Sequence, residues 1–363
     1  MVDEDLSFDS KSADVHSYKC PGCGAQMEFS PESQSLVCPH CRTQEAMELS
    51  SNVSERDFAE LYKQRWSGNE VKTVKCENCG AEEVLEKKEF STRCPFCGSN
   101  TVLKESELNS VRPDTVIPFK INKESAIERS LKWLKSKFFA PKDFKRGVSI
   151  DTIAGTYNPV WTFDSNTRTT YRGVLGKRVT KTTTVNGKTV TRTEIKWFHV
   201  SGTVDCFFDD IYVPGSERIS EKTMNQLKPY DKKTYTQYTN GLLAGFSAAN
   251  YTVEPLDAWK KAEQRMYAHI RQLIIRKHNA DTVQSLNMSV NHMQKSFKYL
   301  LLPVYIAATT YKAKLYNFYM NGVHGKITGK TPVSKGKVAL LVLGIVGVIA
   351  VGGLILWLIS RGG

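Results

Sequence analysis

The sequence predicts an α+β protein with two N-terminal four-cysteine zinc ribbons, a mixed domain rich in antiparallel hairpins, and one C-terminal transmembrane helix. Three observations lead to this prediction: a duplicated cysteine pattern, alternating helix and strand patterns in the middle of the chain, and a long uncharged apolar run near its end. With 363 residues, the chain has room for two or three domains.

We divide the chain into six segments by composition and pattern. They are an acidic tail predicted to be disordered (1–17), the first ribbon (18–50), a helical linker (51–70), the second ribbon (71–110), the α+β domain (111–334) and a transmembrane tail anchor (335–363). The tail is predicted to be disordered because it is acidic and has no hydrophobic periodicity.

Eight of the nine cysteines form two copies of one pattern, C-x2-C, fourteen residues, C-x2-C, and the copies are 56 residues apart at every cysteine. Two C-x2-C turns joined by a short hairpin bring four sulfur atoms to about 2.3 Å from one metal ion. The pattern therefore predicts two structural Zn²⁺ ions. The predicted ligands are Cys20, Cys23, Cys38, Cys41, Cys76, Cys79, Cys94 and Cys97.

Both sites are predicted to be structural, because four thiolates leave no coordination position for a reactive water. Three of the four turns end in glycine, which tolerates positive φ, whereas the fourth ends in Arg42. Disulfides are the alternative, but the acidic start of the chain does not resemble an export signal. His40 lies inside a turn that already has its two thiols, so we interpret it as a bystander.

The linker is predicted to contain a short helix that packs between the ribbons. It would begin at a Ser54 cap and present Phe58, Leu61, Tyr62 and Trp66 on one side.

The larger domain repeats one order of elements. A helix over 123–139 is followed by a strand at 158–163, and a helix over 256–277 is followed by a strand at 302–306; a further strand is predicted at 116–121. Both strands that follow a helix contain a Pro-Val-aromatic sequence. We interpret this as a duplicated helix-plus-strand unit that shares one sheet, with proline favouring a strand start or an edge.

Two hairpins are predicted around Asn-Gly turns. The longer runs over 167–197 and turns at Asn186-Gly187, and the shorter runs over 311–326 and turns at Asn321-Gly322. Between 168 and 196 the long hairpin has a single acid, Glu194, against eight cations: Arg168, Arg172, Lys177, Arg178, Lys181, Lys188, Arg192 and Lys196. Three interpretations remain open: a solvated hairpin, contact with anionic lipid headgroups, or contact with phosphate backbones.

Charge is distributed unevenly along the chain. The formal net charge is +13, but residues 1–60 carry −8, residues 61–110 are neutral, and the remainder carries +21. Two zinc ions bound by eight thiolates would lower the total to about +9. Because basic surfaces dominate nucleic-acid affinity, acidic and neutral ribbons favour a protein partner over DNA.

The run from Val338 to Ile359 has 22 residues and no charge. As a helix it would be roughly 33 Å long, enough to cross the hydrocarbon core of a bilayer. Lys335 and Lys337 precede it, Arg361 follows it, and Trp357 suits an interfacial position. A buried core helix is the alternative. We expect a single-pass protein of the cell membrane, anchored by its tail, with the preceding residues in the reducing cytoplasm.

No catalytic constellation is visible, so the sequence predicts a non-enzymatic protein. Gly329-Lys330-Thr331 lacks the first glycine of a phosphate-binding loop and is followed by Pro332. Cys206 is interpreted as a buried strand cysteine. The nearby Asp205, Asp209 and Asp210 offer carboxylates to a cation but fit a turn better.

The chain resembles a bacterial family of double-zinc-ribbon membrane proteins over nearly its whole length. The resemblance is carried by the two ribbons and by Ile117-Pro118-Phe119, Asn158-Pro159-Val160-Trp161 and Leu302-Pro303-Val304-Tyr305 before a terminal span. Members are described as TFIIB-type zinc-ribbon or primosomal replication-restart helicase-like proteins, and some are associated with phage-shock envelope stress. The motor motifs of a helicase are missing from this chain, so that activity is not implied here.

These features lead to one expectation and one alternative. We expect a membrane-anchored adaptor whose zinc ribbons dock a cytosolic protein at the inner face of the membrane, a role the resemblance places in envelope stress. The alternative is a nucleic-acid-binding protein of replication or repair that uses the basic hairpin.

Overall fold

The computed structural model describes residues 18–62, 72–75, 82–85, 104–106, 113–147 and 153–361, with gaps at 26, 52, 54, 186–187, 217–218, 228–229, 250 and 313. Several sequence predictions lie outside the described residues: the tail 1–17, the Ser54 cap, the turn at Asn186-Gly187, and the ligands Cys76, Cys79, Cys94 and Cys97.

The described residues form an α+β structure. Its strands are β1 (Glu28–Ser30), β2 (Ser35–Val37), β3 (Gln44–Glu45), β4 (Arg56–Asp57), β5 (Lys72–Lys75), β6 (Glu82–Leu85), β7 (Lys104–Ser106), β8 (Thr115–Val116), β9 (Ala154–Val185), β10 (Lys188–Pro214), β11 (Thr236–Gln237), β12 (Ser247–Ala249), β13 (Thr282–Tyr311), β14 (Lys314–Asn321) and β15 (Ile327–Gly329). Its helices are α1 (Lys123–Ser136), α2 (Lys142–Gly147), α3 (Glu221–Leu227), α4 (Pro255–Lys277) and α5 (Lys335–Arg361). Short 3-10 helices cover Phe58–Tyr62, Lys232–Thr234 and Asn240–Leu243.

Two sheets organise these strands. A small antiparallel sheet, in the order β1-β2-β3, lies between and beside the first four cysteines. The larger sheet has 12 strands among the described residues, and β9 and β13 are its centre. The short strands β5, β6 and β7 of the segment predicted as the second ribbon join this larger sheet through pairing of β6 with β12.

β9 and β13 are antiparallel neighbours over almost the whole length of β13. Their pairing runs from Ala154 opposite Ile306 to Gly176 opposite Thr282, with two irregularities in register. β13 carries β14, β8 and β4 in turn along its other edge, and β9 carries β12 and then β10. The two strands predicted to share one sheet are therefore in direct contact. β9 also contains the first strand of the hairpin predicted over 167–197, whereas β13 is far longer than the strand predicted at 302–306.

The two Pro-Val-aromatic segments are related by a local twofold axis. Asn158 pairs with Leu302, and in each strand the proline is the next residue. Because antiparallel strands are exchanged by a twofold axis perpendicular to the sheet, this pairing places Pro159 and Pro303 in equivalent positions. The geometry is that expected of a duplicated unit, whereas the common origin of the two halves remains a prediction.

Each proline lies beside the end of a shorter strand, which explains how a central strand accommodates it. β10 ends at Pro214, after which Gly215 donates its N–H to the Pro159 carbonyl at 2.9 Å. β14 ends at Asn321, after which Gly322 donates its N–H to the Pro303 carbonyl, also at 2.9 Å. In a strand, the N and O of one residue point to the same side, so the missing proline N–H falls where the neighbouring ladder stops.

The two long helices match the sequence pattern. α1 begins after Asn122, whose side chain accepts the Ser125 N–H at 2.8 Å as an N-cap. α4 buries one face made of Ala258, Ala262, Met266, Ile270 and Ile274, at the four-residue spacing of a helix, and packs on β9, β10 and β13.

The segment after the first ribbon differs from its prediction. In place of an α-helix between the ribbons, Arg56–Asp57 pairs as a strand with β13, and a 3-10 helix follows at Phe58–Tyr62. Phe58 contacts Trp259 of α4, with ring centroids 5.0 Å apart, and Leu61 is fully buried. This segment is therefore attached to the large domain by both backbone pairing and apolar packing.

Beyond Gly176, β9 and β10 leave the sheet as a two-stranded arm, which consists of residues 177–185 and 188–196. Its register runs from Lys177 opposite Lys196 to Val185 opposite Lys188, as predicted for the long hairpin. Nine residues of strand extend about 30 Å. Most of the arm's described side chains are exposed; Ile195 and the adjacent Trp197, at the base of the arm, are each 44% exposed.

α5 is the predicted C-terminal apolar helix. The window Lys335–Gly353 has a mean hydropathy of 2.2, and none of it is buried in the protein. By length and composition this helix is able to cross a membrane. The alternative of a buried core helix is wrong, because the described side chains from Val338 to Val351 lie on the surface.

Candidate metal centre

Four cysteines of the first ribbon meet at one point. The Sγ atoms of Cys20, Cys23, Cys38 and Cys41 all lie within 4.8 Å of one another. The Cys20–Cys41 and Cys23–Cys38 Sγ distances are 3.3 Å and 3.5 Å. A tetrahedral Zn²⁺ site with bonds of about 2.3 Å needs sulfurs about 3.8 Å apart. The four side chains therefore fit one zinc ion.

The two C-x2-C turns have the same backbone geometry. Gly24 and Arg42, each the residue after the second cysteine of its turn, donate their N–H to the first cysteine's carbonyl at 2.8 and 3.0 Å. Both residues have positive φ, +72° for Gly24 and +62° for Arg42. The turn that lacks glycine thus adopts the glycine-like conformation, at the steric cost of a side chain in the left-handed region.

The cysteine cluster is partly buried. Cys20 and Cys38 are buried, whereas Cys23 and Cys41 are exposed. The Thr43 hydroxyl, 3.0 Å from the Cys41 sulfur, and the Thr43 backbone lower the pKa of the Cys41 thiol to about 6. This environment favours the thiolate, which is the form that binds metal.

The ribbon is fixed to the large domain at the start of α1. Gln34 donates from Nε2 to the Phe119 carbonyl at 2.8 Å, and Phe29 donates its N–H to the Ala244 carbonyl at 2.9 Å. Phe246 stacks on Phe119 with ring centroids 4.2 Å apart and also contacts Phe29. The candidate metal centre therefore shares an apolar core with the sheet rather than forming a separate lobe.

A second cluster of potential ligands lies in the large domain. Carboxylate oxygens of Glu55, Asp164, Asp209 and Asp210 lie within 4.8 Å of one another. Asp209 and Asp210 form a β-bulge, because Phe208 pairs with Ser165 while Ile211 pairs with Phe163. Asp210 has φ of +52° and donates its N–H to Asp164 Oδ1 at 2.6 Å.

Two lysines occupy the positions where a cation would bind this second cluster. Lys298 Nζ is 2.7 Å from Glu55 Oε1 and 2.9 Å from Asp210 Oδ1, and Lys232 Nζ is 2.8 Å from Asp210 Oδ2. Asp210 and Lys298 have side chains only 1% and 7% exposed. The group is therefore a buried salt-bridge network that joins the linker, β9, β10 and β13, and we do not interpret it as a metal site.

One proton is shared within this network. Burial and the hydrogen bond with Glu55 raise the pKa of Asp164 to about 7. Burial opposes the charge on Glu55, but hydrogen bonds from Asp164, Lys298 and Ser296 outweigh it and lower the pKa of Glu55 to about 2. Below about pH 7, Asp164 therefore holds a proton while Glu55 stays charged.

The acids and the cysteine noted in the sequence separate in the structure. Asp209 and Asp210 belong to the network, whereas Asp205 lies on the surface, 3.8 Å from Arg168. Cys206 is half-buried in β10, and burial raises the pKa of its thiol. Sequence reasoning missed Glu55 and Asp164, which lie more than a hundred residues apart; the adjacent Asp209 and Asp210 in a strand were the one available signal.

Comparison with known proteins shows a relative that matches most of the chain. No family model matches the chain, and no solved structure matches it. The chain is 31% identical over 337 residues, which are 92% of this chain and 95% of the relative, to the protein named "Uncharacterized protein YdjG" of Bacillus subtilis (strain 168). Because this similarity covers nearly the whole of both proteins, the chain belongs to the same family as Bacillus subtilis YdjG.

Proposed function

We propose that this protein is a non-enzymatic, tail-anchored adaptor that holds a cytosolic protein at the inner face of the cell membrane. Its two TFIIB-type ribbons each bind one structural Zn²⁺, with the second held by Cys76, Cys79, Cys94 and Cys97. α5 crosses the bilayer once. The resemblance to a family in which some members are associated with phage-shock envelope stress supports a role in that response.

The observation that carries the proposal is the short, rigid path between the cysteine cluster and the apolar helix. α1 begins beside the first ribbon, where Asn122 contacts Glu32, and its 14 residues extend about 21 Å. The loop after α1 is hydrogen-bonded to the start of α5, through Ser334 and the Phe139 carbonyl at 2.8 Å. A protein bound to the ribbon would therefore be held at a fixed, short distance from the bilayer.

The orientation follows from charge. Lys335 and Lys337 precede the apolar run, and the domain before them holds the positive excess of the chain, whereas Arg361 is the single cation after it. Positive residues favour the cytoplasmic side of a span. Four free thiols gathered around one point also suit a reducing compartment.

Affinity capture of the full-length protein from its native membranes tests the adaptor role. Replacing the two buried ligands, Cys20→Ser and Cys38→Ser, should remove the bound partner, because the ribbon loses the ion that folds it. Cys206→Ser is the matched control, since it removes a cysteine outside the cluster and should leave capture unchanged. Capture of the same proteins by the wild type, by the variant with both Cys20→Ser and Cys38→Ser, and by Cys206→Ser would contradict the adaptor proposal.

A second candidate function is nucleic-acid binding by the two-stranded arm. The arm combines six cations, Lys177, Arg178, Lys181, Lys188, Arg192 and Lys196, with the exposed Trp197 at its base. Cationic surfaces with an exposed aromatic ring bind single strands through phosphate contact and base stacking. Full-length protein in detergent should then bind an oligonucleotide with a steep salt dependence that Lys181→Gln with Arg192→Gln reduces; no binding at low salt would exclude this role.

A further inference from the structure

We propose that residues 132–146, 310–312, 314 and 333–337 form a juxtamembrane collar that lies on anionic lipid headgroups around the start of α5. This inference rests on the proposed membrane anchor and adds to it a second, electrostatic contact between the folded domain and the bilayer. The collar consists of the end of α1, the following loop, α2, the β13–β14 turn and the first residues of α5.

The collar is attached to the anchor by hydrogen bonds. Ser334 donates its N–H to the Phe139 carbonyl at 2.8 Å. Lys337 donates from Nζ to the carbonyls of Phe138 and Ala140 at 2.7 and 3.1 Å. Because Lys337 is the last charged residue before the apolar run, these contacts hold the loop after α1 at the level where α5 enters a bilayer.

Large apolar side chains at the same level are left on the surface. Phe138 is 64% exposed and Val333 is 58% exposed, although each lies beside well-packed neighbours. The Lys337 Nζ lies 5.5 Å from the centre of the Phe138 ring, a combination of cation and aromatic ring that suits the boundary between headgroups and acyl chains. Continuity with α5 makes a bilayer, rather than a soluble protein, the natural cover for these side chains.

The charge of the collar is almost entirely positive. Seven of its cations are exposed: Lys132, Lys135, Lys142, Arg146, Lys312, Lys314 and Lys335. Its one acid, Asp143, accepts a hydrogen bond from the Tyr311 hydroxyl at 2.7 Å, which also ties the β13–β14 turn to α2. The acids of α1, Glu124 and Glu128, lie in its first half, away from the anchor. Clusters of this size beside a span attract anionic lipids.

The position of the collar distinguishes it from the other cationic surface of the protein. Along β9, Ala154 lies near the collar end of the sheet and Val185 lies at the tip of the arm, and these residues are the two ends of a 32-residue strand. At about 3.4 Å per residue the strand is about 110 Å long. We therefore assign the lipid contact to the collar, and not to the arm.

Hydrogen exchange of the full-length protein in lipid nanodiscs tests the proposal. One set of discs contains phosphatidylcholine alone, and the other also contains phosphatidylglycerol. In the anionic discs, amides of residues 132–146, 310–312 and 314 should exchange at least roughly fivefold more slowly, the effect of one well-placed cation. High salt should remove the difference, because it screens exposed charges.

Two charge-matched variants make the test specific. Replacing Lys132, Lys135, Lys142 and Arg146 by glutamine should remove the slowing, whereas replacing Lys177, Lys181, Arg192 and Lys196 of the arm by glutamine should leave it intact. Exchange in α4 serves as the folding control and should be the same in every sample. If the collar amides exchange equally fast in neutral and anionic discs, the collar proposal is wrong, but the proposed membrane anchor is unaffected. Failure of the protein to enter discs at all would overturn the anchor, and the collar with it.

Discussion

Lys298 of β13 donates a hydrogen bond of 2.7 Å to Glu55, and this pair ties the segment after the first cysteine cluster to the central strand of the sheet. Ser296, two residues earlier, donates to the other Glu55 oxygen at 2.5 Å. Together with the pairing of Arg56–Asp57 on β13, these bonds make the ribbon and the sheet parts of one folded unit.

Loss of the Lys298 charge should destabilise the fold strongly. Lys298→Met leaves the carboxylates of Asp210 and Glu55 without their shared cation in a site where Asp210 is only 1% exposed. Removing one partner of a buried ion pair costs about 3–5 kcal/mol of unfolding free energy. Urea titration in detergent, followed by far-ultraviolet circular dichroism, measures this loss.

Lys260→Met is the matched control for that substitution. Lys260 forms an exposed pair with Asp257 on α4, with side chains 69% and 60% exposed. Exposed pairs contribute about 0–1 kcal/mol, so this variant should unfold close to the wild type. Equal losses in the two variants would show that the buried network adds nothing to stability.

Asp164 should make stability fall as pH rises. In the folded protein the pKa of Asp164 is raised to about 7, while its ordinary value is 3.8. Between these values the folded chain holds a proton that the unfolded chain has released, so the stability from this group is complete at low pH and lost as pH rises through about 7. Asp164→Asn mimics the protonated form, since it can accept the Asp210 N–H and donate to Glu55.

Melting temperatures across this pH range should therefore differ between the two proteins. The melting temperature of the wild type minus that of Asp164→Asn should decline as pH increases from about 4 to about 7, and then stay constant. Asp205→Asn is the control, because it changes an exposed acid of β10 that lies outside the network. If the melting-temperature difference between the wild type and Asp164→Asn stays constant over the same pH range, the assignment of the proton to Asp164 is wrong.

Arg42→Gly should strengthen the first ribbon. Arg42 has φ of +62°, a conformation that glycine adopts without steric cost. We expect a gain of about 0.5–1 kcal/mol and slower zinc loss to a chelator. Gly24→Ala, at the equivalent position of the other turn with φ of +72°, should have the opposite effect; the same sign for both would mean that the turns are not equivalent.

Gly322→Ala should disturb the junction of the two halves. A Cβ at Gly322 would lie 2.5 Å from the Phe119 ring and 2.9 Å from the Pro303 Cβ. Overpacking of this kind costs about 1–3 kcal/mol. Gly336→Ala, where nothing lies within 4 Å of the added atom, is the control, and thermal unfolding in detergent compares the two.

Metal analysis of protein purified without oxygen should give two zinc ions per chain. Cys20→Ser with Cys38→Ser should remove one of them and leave the second, whereas Cys206→Ser should remove none. Retention of both ions in the double variant would contradict the assignment of ligands.

Local patterns predicted the parts of this structure that are set by nearby residues. The C-x2-C spacing predicted that four cysteines would meet at one point, because their positions depend only on two short turns and the hairpin between them. These cysteines are Cys20, Cys23, Cys38 and Cys41. The helical periodicity predicted α1 and α4, and the uncharged run predicted α5.

The sequence patterns did not predict which strands pair when they are far apart in the chain. β9 joins the strand predicted at 158–163 to the first strand of the hairpin predicted over 167–197. β13 is much longer than the strand predicted at 302–306, and the alternation of Leu286, Met288 and Val290 with polar residues was the signal that the prediction missed. The helix predicted over the linker is replaced by a strand and a 3-10 helix, because Arg56–Asp57 finds a free stretch of the β13 edge 240 positions later in the chain. The salt-bridge network depends on the same pairing of Arg56–Asp57 with β13, so local sequence patterns did not predict it either.

The uninterrupted run of β9 from the collar end of the sheet to the tip of the arm has a mechanical consequence. Its ladder bonds to β13 lie across the strand axis, so a pull applied at the tip loads many of them in shear at once instead of opening them one by one. Force along β9 would therefore be shared by the whole ladder from Gly176 to Ala154, and the paired part of the strand should yield as one unit rather than residue by residue.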